Sequence, residues 1–212
     1  MEPLTKTSGD ATVVLLVPGS LRAESFNLRL LREMARRLEG RCRIDLLNPR
    51  EVDLPLFDQD LETQPEMIER VATVHRRFAA AHGLIVACPE YNGQLTAYLK
   101  NLVDWVSRLA HLHRDWSNPF LDRPVLLCSA STGATGGAVA VPHARALFGY
   151  VGSVVLGPTV AVSHAQQGWT QEGFRFAPHF DSHIDASCER LLRHAQGFAG
   201  AQQNSESRDG PK

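Results

Sequence analysis

The sequence predicts an α/β fold, a doubly wound parallel sheet of five strands in a three-layer α/β/α arrangement, and three observations carry that reading. Three apolar runs, Val13-Val14-Leu15-Leu16-Val17, Leu84-Ile85-Val86-Ala87-Cys88 and Val125-Leu126-Leu127-Cys128-Ser129, show little alternation, as strands covered on both faces do. Segments with apolar residues at three- and four-residue steps separate them, which is the period of a helix face. Each run opens into a polar or glycine-bearing loop at its carboxyl end, where such sheets place their ligands.

The first strand ends at Pro18. The chain then passes through Gly19-Ser20-Leu21-Arg22-Ala23-Glu24-Ser25-Phe26-Asn27 into a helix with Leu30, Leu31, Met34, Ala35 and Leu38 on one side. A helix start leaves backbone N–H groups without intrahelical partners and carries about half a positive charge, so it attracts an anion. Ser20, Ser25 and Asn27 add neutral donors and Arg22 a charged one, and a phosphate is the natural guest. Cys42-Arg43-Ile44-Asp45-Leu46 alternates like a strand near a sheet edge. A long connection over 48–64 ends at Pro65, a favoured first helical residue. Met67, Val71, Val74 and Phe78 mark the second helix, which Gly83 closes.

The strand at 84–88 leads into Pro89-Glu90-Tyr91-Asn92-Gly93 and a third helix over 96–111 with two apolar stripes. Tyr98, Leu102, Trp105 and Leu109 form one; Leu99, Val103, Val106 and Ala110 form the other. One stripe covers the sheet. The second has no evident partner inside a single domain and predicts a homodimer, or a tetramer, built through this helix. The strand at 125–129 runs into Ser131-Thr132-Gly133-Ala134-Thr135-Gly136-Gly137 and a fourth helix over 138–150. A fifth strand starts at Val154 and extends past Pro158 to Val162. Residues 163–180 read as loop, and 181–198 as a closing helix with Ile184, Cys188, Leu191, Leu192 and Ala195 inward. The expected organisation is a flexible 1–10, a single domain over 11–200 and a disordered tail over 201–212.

Composition narrows the function. A formal net charge of -1 over 212 residues offers no basic field to nucleic acid and no charged docking face for a carrier. No apolar run approaches the roughly 20 residues that span a bilayer, and 1–10 lacks the apolar core of a secretory signal, so the expected location is cytoplasmic. The 4 cysteines form no C-x-x-C pair and read as buried thiols. His111-x-His113 and His179-x-x-x-His183 have ligand spacing but lie in no zinc pattern, so no metal is expected. The first loop is neither a P-loop nor a G-x-G-x-x-G fingerprint, which points to one phosphate rather than several. With the loops at 89–93 and 131–137 beside it, the pocket suits a phosphorylated planar molecule.

Gly19-Ser20-Leu21-Arg22 with Ser25 and Asn27, then Pro89-Glu90-Tyr91-Asn92, Leu99-Lys100-Asn101 and Asp104-Trp105, resembles the NADPH-dependent FMN reductase family of flavodoxin-like proteins over about 11–162. The resemblance implies a five-stranded flavodoxin-like sheet, FMN as cofactor, NADPH or NADH as co-substrate, and hydride transfer by a ping-pong route to a flavin, quinone, azo or other small acceptor. It implies that Ser20, Arg22, Ser25 and Asn27 bind the FMN phosphate, that Pro89, Glu90, Tyr91 and Asn92 border the ribityl chain and ring, and that Ser131, Thr132, Gly133 and Gly136 lie opposite. Lys100 and Asn101 match the start of the helix that pairs subunits. No catalytic side chain is assigned, because the flavin carries the chemistry. Thr96-Ala97 stands where many relatives have Pro-Gly, and Thr96 is expected to cap the helix instead. The stretch 163–180 matches nothing in the family and is the expected seat of acceptor choice. The rival class is a non-enzymatic flavin-binding electron carrier, which would bind FMN without turning over NADPH.

Overall fold

The computed structural model describes residues 11–113, 116–170, 173–174 and 178–206. Strands β1 (Val13–Pro18), β2 (Arg43–Leu46), β3 (Gly83–Ala87) and, after a short hairpin of β4 (Glu90–Tyr91) and β5 (Gln94–Leu95), β6 (Pro124–Ala130) build the sheet. β7 (Val154–Val155) and β8 (Val160–Val162) both pair with β6, so the expected fifth strand exists in two pieces, separated by residues that include the cis Gly157–Pro158 peptide. All pairings in the main sheet are parallel and the order is β2-β1-β3-β6-β7. This is the doubly wound flavodoxin-like order, with its switch point between β1 and β3. Every residue of β1, β3 and β6 is buried, which is why their sequences do not alternate.

Helices α1 (Phe26–Leu38) and α6 (Pro178–Glu206) cover one face, and α2 (Pro65–Ala80), α3 (Ala97–Leu112) and α4 (Ala140–Tyr150) the other. Leu30, Leu31, Met34 and Leu38 of α1 meet Ile184, Cys188, Leu191 and Leu192 of α6 over the first face. Phe78, Leu99, Val103, Val106 and Phe148 fill the second. α5 (Ala165–Gly168) is a single turn, followed by a hairpin of β9 (Trp169–Thr170) and β10 (Gly173–Phe174) in a stretch expected to be loop.

Two expectations need correction. The second stripe of α3 is covered within the chain: Trp105 and Leu109 pack with Met67, Val71 and Ala72 of α2 and with Leu54, Phe57 and Leu61 of the connection after β2. Trp105 Nε1–H donates to the Pro55 carbonyl (2.8 Å), and Asn101 holds the same carbonyl through Nδ2 (2.8 Å) while its Oδ1 accepts from the Phe57 amide (2.6 Å). The connection straps itself onto α3, so the stripe gives no reason to infer a partner. The closing helix also runs longer than 181–198, and 201–206 of the expected tail are helical. Residues 1–10 and 207–212 lie outside the described residues. Among the described residues no helix is long and apolar enough to cross a membrane.

Candidate functional site

Three loops meet at the carboxyl edge of the sheet. The first begins at Gly19, whose N–H donates to the Ala87 carbonyl (2.9 Å). A β-carbon there would lie 2.5 Å from that oxygen and 2.7 Å from Pro89 Cδ, so only glycine lets the first two loops touch. Thr96 Oγ1–H donates to the Gly19 carbonyl (2.6 Å), and Thr96 Oγ1 accepts from the Leu99 amide (3.1 Å). Thr96 caps α3 as expected, and its bond to Gly19 makes the cap part of the first loop.

Ser20 is buried and its hydroxyl oxygen accepts from the Arg22 amide (3.2 Å), while the Arg22 side chain is exposed. Ser25 is the N-cap of α1 by backbone geometry, yet its hydroxyl makes no cap bond. The first intrahelical bond runs from the Arg29 amide to the Ser25 carbonyl (3.1 Å), so the N–H groups of Phe26, Asn27 and Leu28 have no intrahelical partner. Glu24, the one acid in the loop, is paired with Arg29, whose hydrogen bond and charge hold its carboxyl below the usual range. The acid beside the helix end is thereby neutralised, and the end stays attractive to an anion. Asn27 differs from its expected role. Its side chain bonds both ways to Ala130, donating to the carbonyl (2.9 Å) and accepting from the amide (3.0 Å). That pair ties α1 to the end of β6 and leaves Asn27 only its backbone N–H for a ligand.

The second loop is a hairpin that the sequence reading took for plain loop. Glu90↔Leu95 and Tyr91↔Gln94 pair antiparallel around Asn92 and Gly93, both at positive φ (53° and 73°). Asn-Gly at the tip of a two-residue turn is a strong hairpin signal and was available in the sequence. Pro89 is buried and Tyr91 is exposed. Glu90 reaches across to the third loop, where Oε2 accepts from the amides of Val139 (3.0 Å) and Ala140 (3.2 Å) at the start of α4.

In the third loop, Ser131 Oγ accepts from the Gly133 amide (3.1 Å), and Thr132 and Gly133 are exposed. Gly136 sits at φ 64°, and a β-carbon on it would meet Val162 and Ser163 backbone atoms at 2.8 Å. Its glycine serves a tight turn against β8. Ser129 Oγ–H donates to the Gly136 carbonyl (2.5 Å), and the Ala165 amide donates to the Ser131 carbonyl (2.9 Å), fixing the loop to the residues after β8. Beyond it Trp169 packs against Phe26 with tilted rings (centroids 5.4 Å apart), so the unmatched stretch packs against the first turn of α1. Nothing in local spacing signals that contact. Each loop also contributes one exposed apolar side chain: Leu21 (52%), Tyr91 (48%) and Val139 (48%). An open helix end beside an apolar rim fits a molecule with an anionic tail and a flat ring.

A parallel sheet in this order, with an uncapped helix start at its switch point, defines a protein of the flavodoxin-like class. The chain belongs to the NADPH-dependent FMN reductase family, whose sequence model matches residues 12–167. It is 30% identical over 143 residues to the quinone reductase of Escherichia coli (strain K12), covering 68% of this chain and 72% of that protein. It is 31% identical over 167 residues to an NAD(P)H-dependent FMN reductase of Pseudomonas aeruginosa, covering 77% and 84%. The fold is that of FerB, a flavoenzyme NAD(P)H:acceptor oxidoreductase from Paracoccus denitrificans, with a TM-score of 0.76, 22% identity and coverage of 88% of this chain and 98% of that one. The chain is thus an FMN-dependent NAD(P)H oxidoreductase. The family match ends inside α5, and β9, β10 and α6 lie beyond it.

Proposed function

We propose that the protein is a quinone-type reductase whose FMN is held with its phosphate at the start of α1. The observation that supports this most is the set of unpartnered N–H groups of Phe26, Asn27 and Leu28 beside the uncommitted Ser25 hydroxyl. In this reading Ser20, Arg22 and Ser25 complete the phosphate seat. Pro89 and the hairpin residues Tyr91 and Asn92 border the ribityl chain and ring. Thr132 offers its backbone N–H opposite, while Ser131 and Gly133, whose backbone groups are bonded within the chain, and Gly136 shape that loop. Glu90 contributes by holding the two walls together. When bound, FMN supplies two-electron chemistry, so that NAD(P)H, a proton and a quinone yield NAD(P)⁺ and the hydroquinone. The protein's task is to orient the partners, and peptide N–H groups of the third loop would favour negative charge at the adjacent ring edge. Relatives named quinone reductase and 2-hydroxy-1,4-benzoquinone reductase favour quinones among the acceptors.

We also propose that subunits pair along the groove between α3 and α4. It measures about 900 Å³, is lined by Lys100, Asp104, Arg108, Leu147 and Tyr150 among others, and leaves Tyr150 92% exposed. FMN-loaded protein should consume NADPH steadily with 2-methyl-1,4-naphthoquinone. Bound flavin without turnover would favour the electron carrier, and failure to retain FMN would remove the site.

A further inference from the structure

Two long helices start at the carboxyl edge of the sheet on either side of the proposed ring slot, and they are finished in opposite ways. At α1 the first three N–H groups have no intrahelical partner, no side chain caps them, and the first turn contains no acid. At α4 the Glu90 carboxylate occupies the end, accepting from Val139 and Ala140. Pro142, the third residue of α4, has no N–H to offer, so Val141 alone keeps one in that turn. The same hairpin is tied to α4 a second time, one turn further on, by Gln94 Nε2 and His143 Nε2 (3.3 Å). The wall made by the hairpin and α4 is therefore closed and carries a carboxylate where the chain would otherwise present a positive helix end.

We infer that Glu90 is a specificity-determining residue: by seating its own carboxylate on α4 it confines anion binding to α1 and biases the slot toward uncharged acceptors. The inference rests on the placement of the flavin proposed above. With Glu90 in place the start of α4 and its carboxylate together carry about minus one half of a charge; without that charge the helix end carries about plus one half. An acceptor bearing a sulfonate or carboxylate near the slot feels this difference, whereas a neutral quinone of the same size does not. One unit of charge at about 8 Å, in a medium of effective dielectric about 20 and at about 20 mM salt, corresponds to roughly a tenfold change in rate or affinity.

The discriminating variant is Glu90→Gln, which keeps an acceptor oxygen for the α4 amides and removes the charge. Acceptors are 2-methyl-1,4-naphthoquinone and 1,2-naphthoquinone-4-sulfonate, with NADPH and saturating FMN. The ratio of kcat/KM for the neutral over the sulfonated quinone should fall about tenfold in the variant. Binding of 2-naphthalenesulfonate to the FMN-loaded protein, followed by the flavin absorbance, should tighten by a similar factor. An unchanged ratio with unchanged sulfonate binding overturns the role of Glu90 while leaving the enzyme's function standing. Wild-type protein that reduces neither quinone overturns the function itself. Should the variant not fold, wild-type protein decides. Raising NaCl from about 20 mM to about 300 mM should lift kcat/KM for the sulfonated quinone and leave the neutral one unmoved, and a flat or falling response for the sulfonate rejects the inference.

Discussion

The two edges of the sheet use polar groups in contrasting ways. At the amino edge several are committed to backbone, while the buried Arg123 Nη1 and His75 Nδ1 have no partner. His82 Nδ1 accepts from the Val13 amide (2.9 Å), Ser153 Oγ–H donates to the Phe120 carbonyl (3.1 Å), and Asn118 both donates to Val151 (3.0 Å) and accepts from Phe120 (3.0 Å). Arg123 is buried there, donating from Nε to Pro119 (3.0 Å) with its guanidinium 4.6 Å over the Phe198 ring, and burial brings its pKa down to about 10. At the carboxyl edge the helix end of α1 keeps its first donors uncommitted. The amino edge uses its bonds to fix the chain, whereas the carboxyl edge ties its loops together and still keeps the first donors of α1 for something that is not the chain.

The largest effect should come from making the carboxyl edge as crowded as the amino edge. Gly19→Ala puts a methyl group 2.5 Å from the Ala87 carbonyl, and the forced shift should cost about 3 kcal/mol of stability and abolish FMN retention, read by thermal denaturation and flavin fluorescence. A variant of wild-type stability that still binds FMN would break the comparison. Arg22→Ala should separate ligand binding from stability. Its side chain is exposed, so FMN affinity should drop by about 1.5 to 3 kcal/mol with the melting temperature unchanged. Unchanged affinity would take Arg22 out of the phosphate seat.

The smallest effect belongs to the amino edge and to pH. Burial first, and then the charge of Arg123 among other causes, hold His75 and His82 below the ordinary histidine value of 6.5. The unfolded chain therefore binds protons near pH 6.5 that the folded chain refuses. The stabilisation is full above that pH and is lost as pH falls through the lower folded values. A His75→Gln, His82→Gln double variant should show a flatter decline of melting temperature between about pH 7 and about pH 5. An equally steep decline would shift the acid sensitivity to carboxylates.

The parts legible in the sequence are those in which local pattern and tertiary role coincide. β1, β3 and β6 read as buried strands because both their faces are covered, and Thr96 read as a cap because a cap is a three-residue affair. The proposed phosphate seat rests in the sequence on a cluster of hydroxyls and an arginine before a helical period. The bond from the Asn27 side chain to Ala130 does not show in the sequence, because the two are 103 positions apart. Glu90 was assigned to ligand by resemblance, whereas its carboxylate answers to a helix that starts fifty residues later. The cover over Trp105 escaped notice because Leu54, Phe57 and Leu61 belong to a connection with no regular spacing. Such contacts are set by where the fold brings distant segments together, which no window of neighbouring residues records.

That cover has a consequence for how the protein comes into being. Because Pro55 and its neighbours shield the indole of Trp105 from within, a newly made chain can finish its interior before meeting a sibling. Whatever assembly follows is then a joining of subunits in which this stripe of α3 is already hidden.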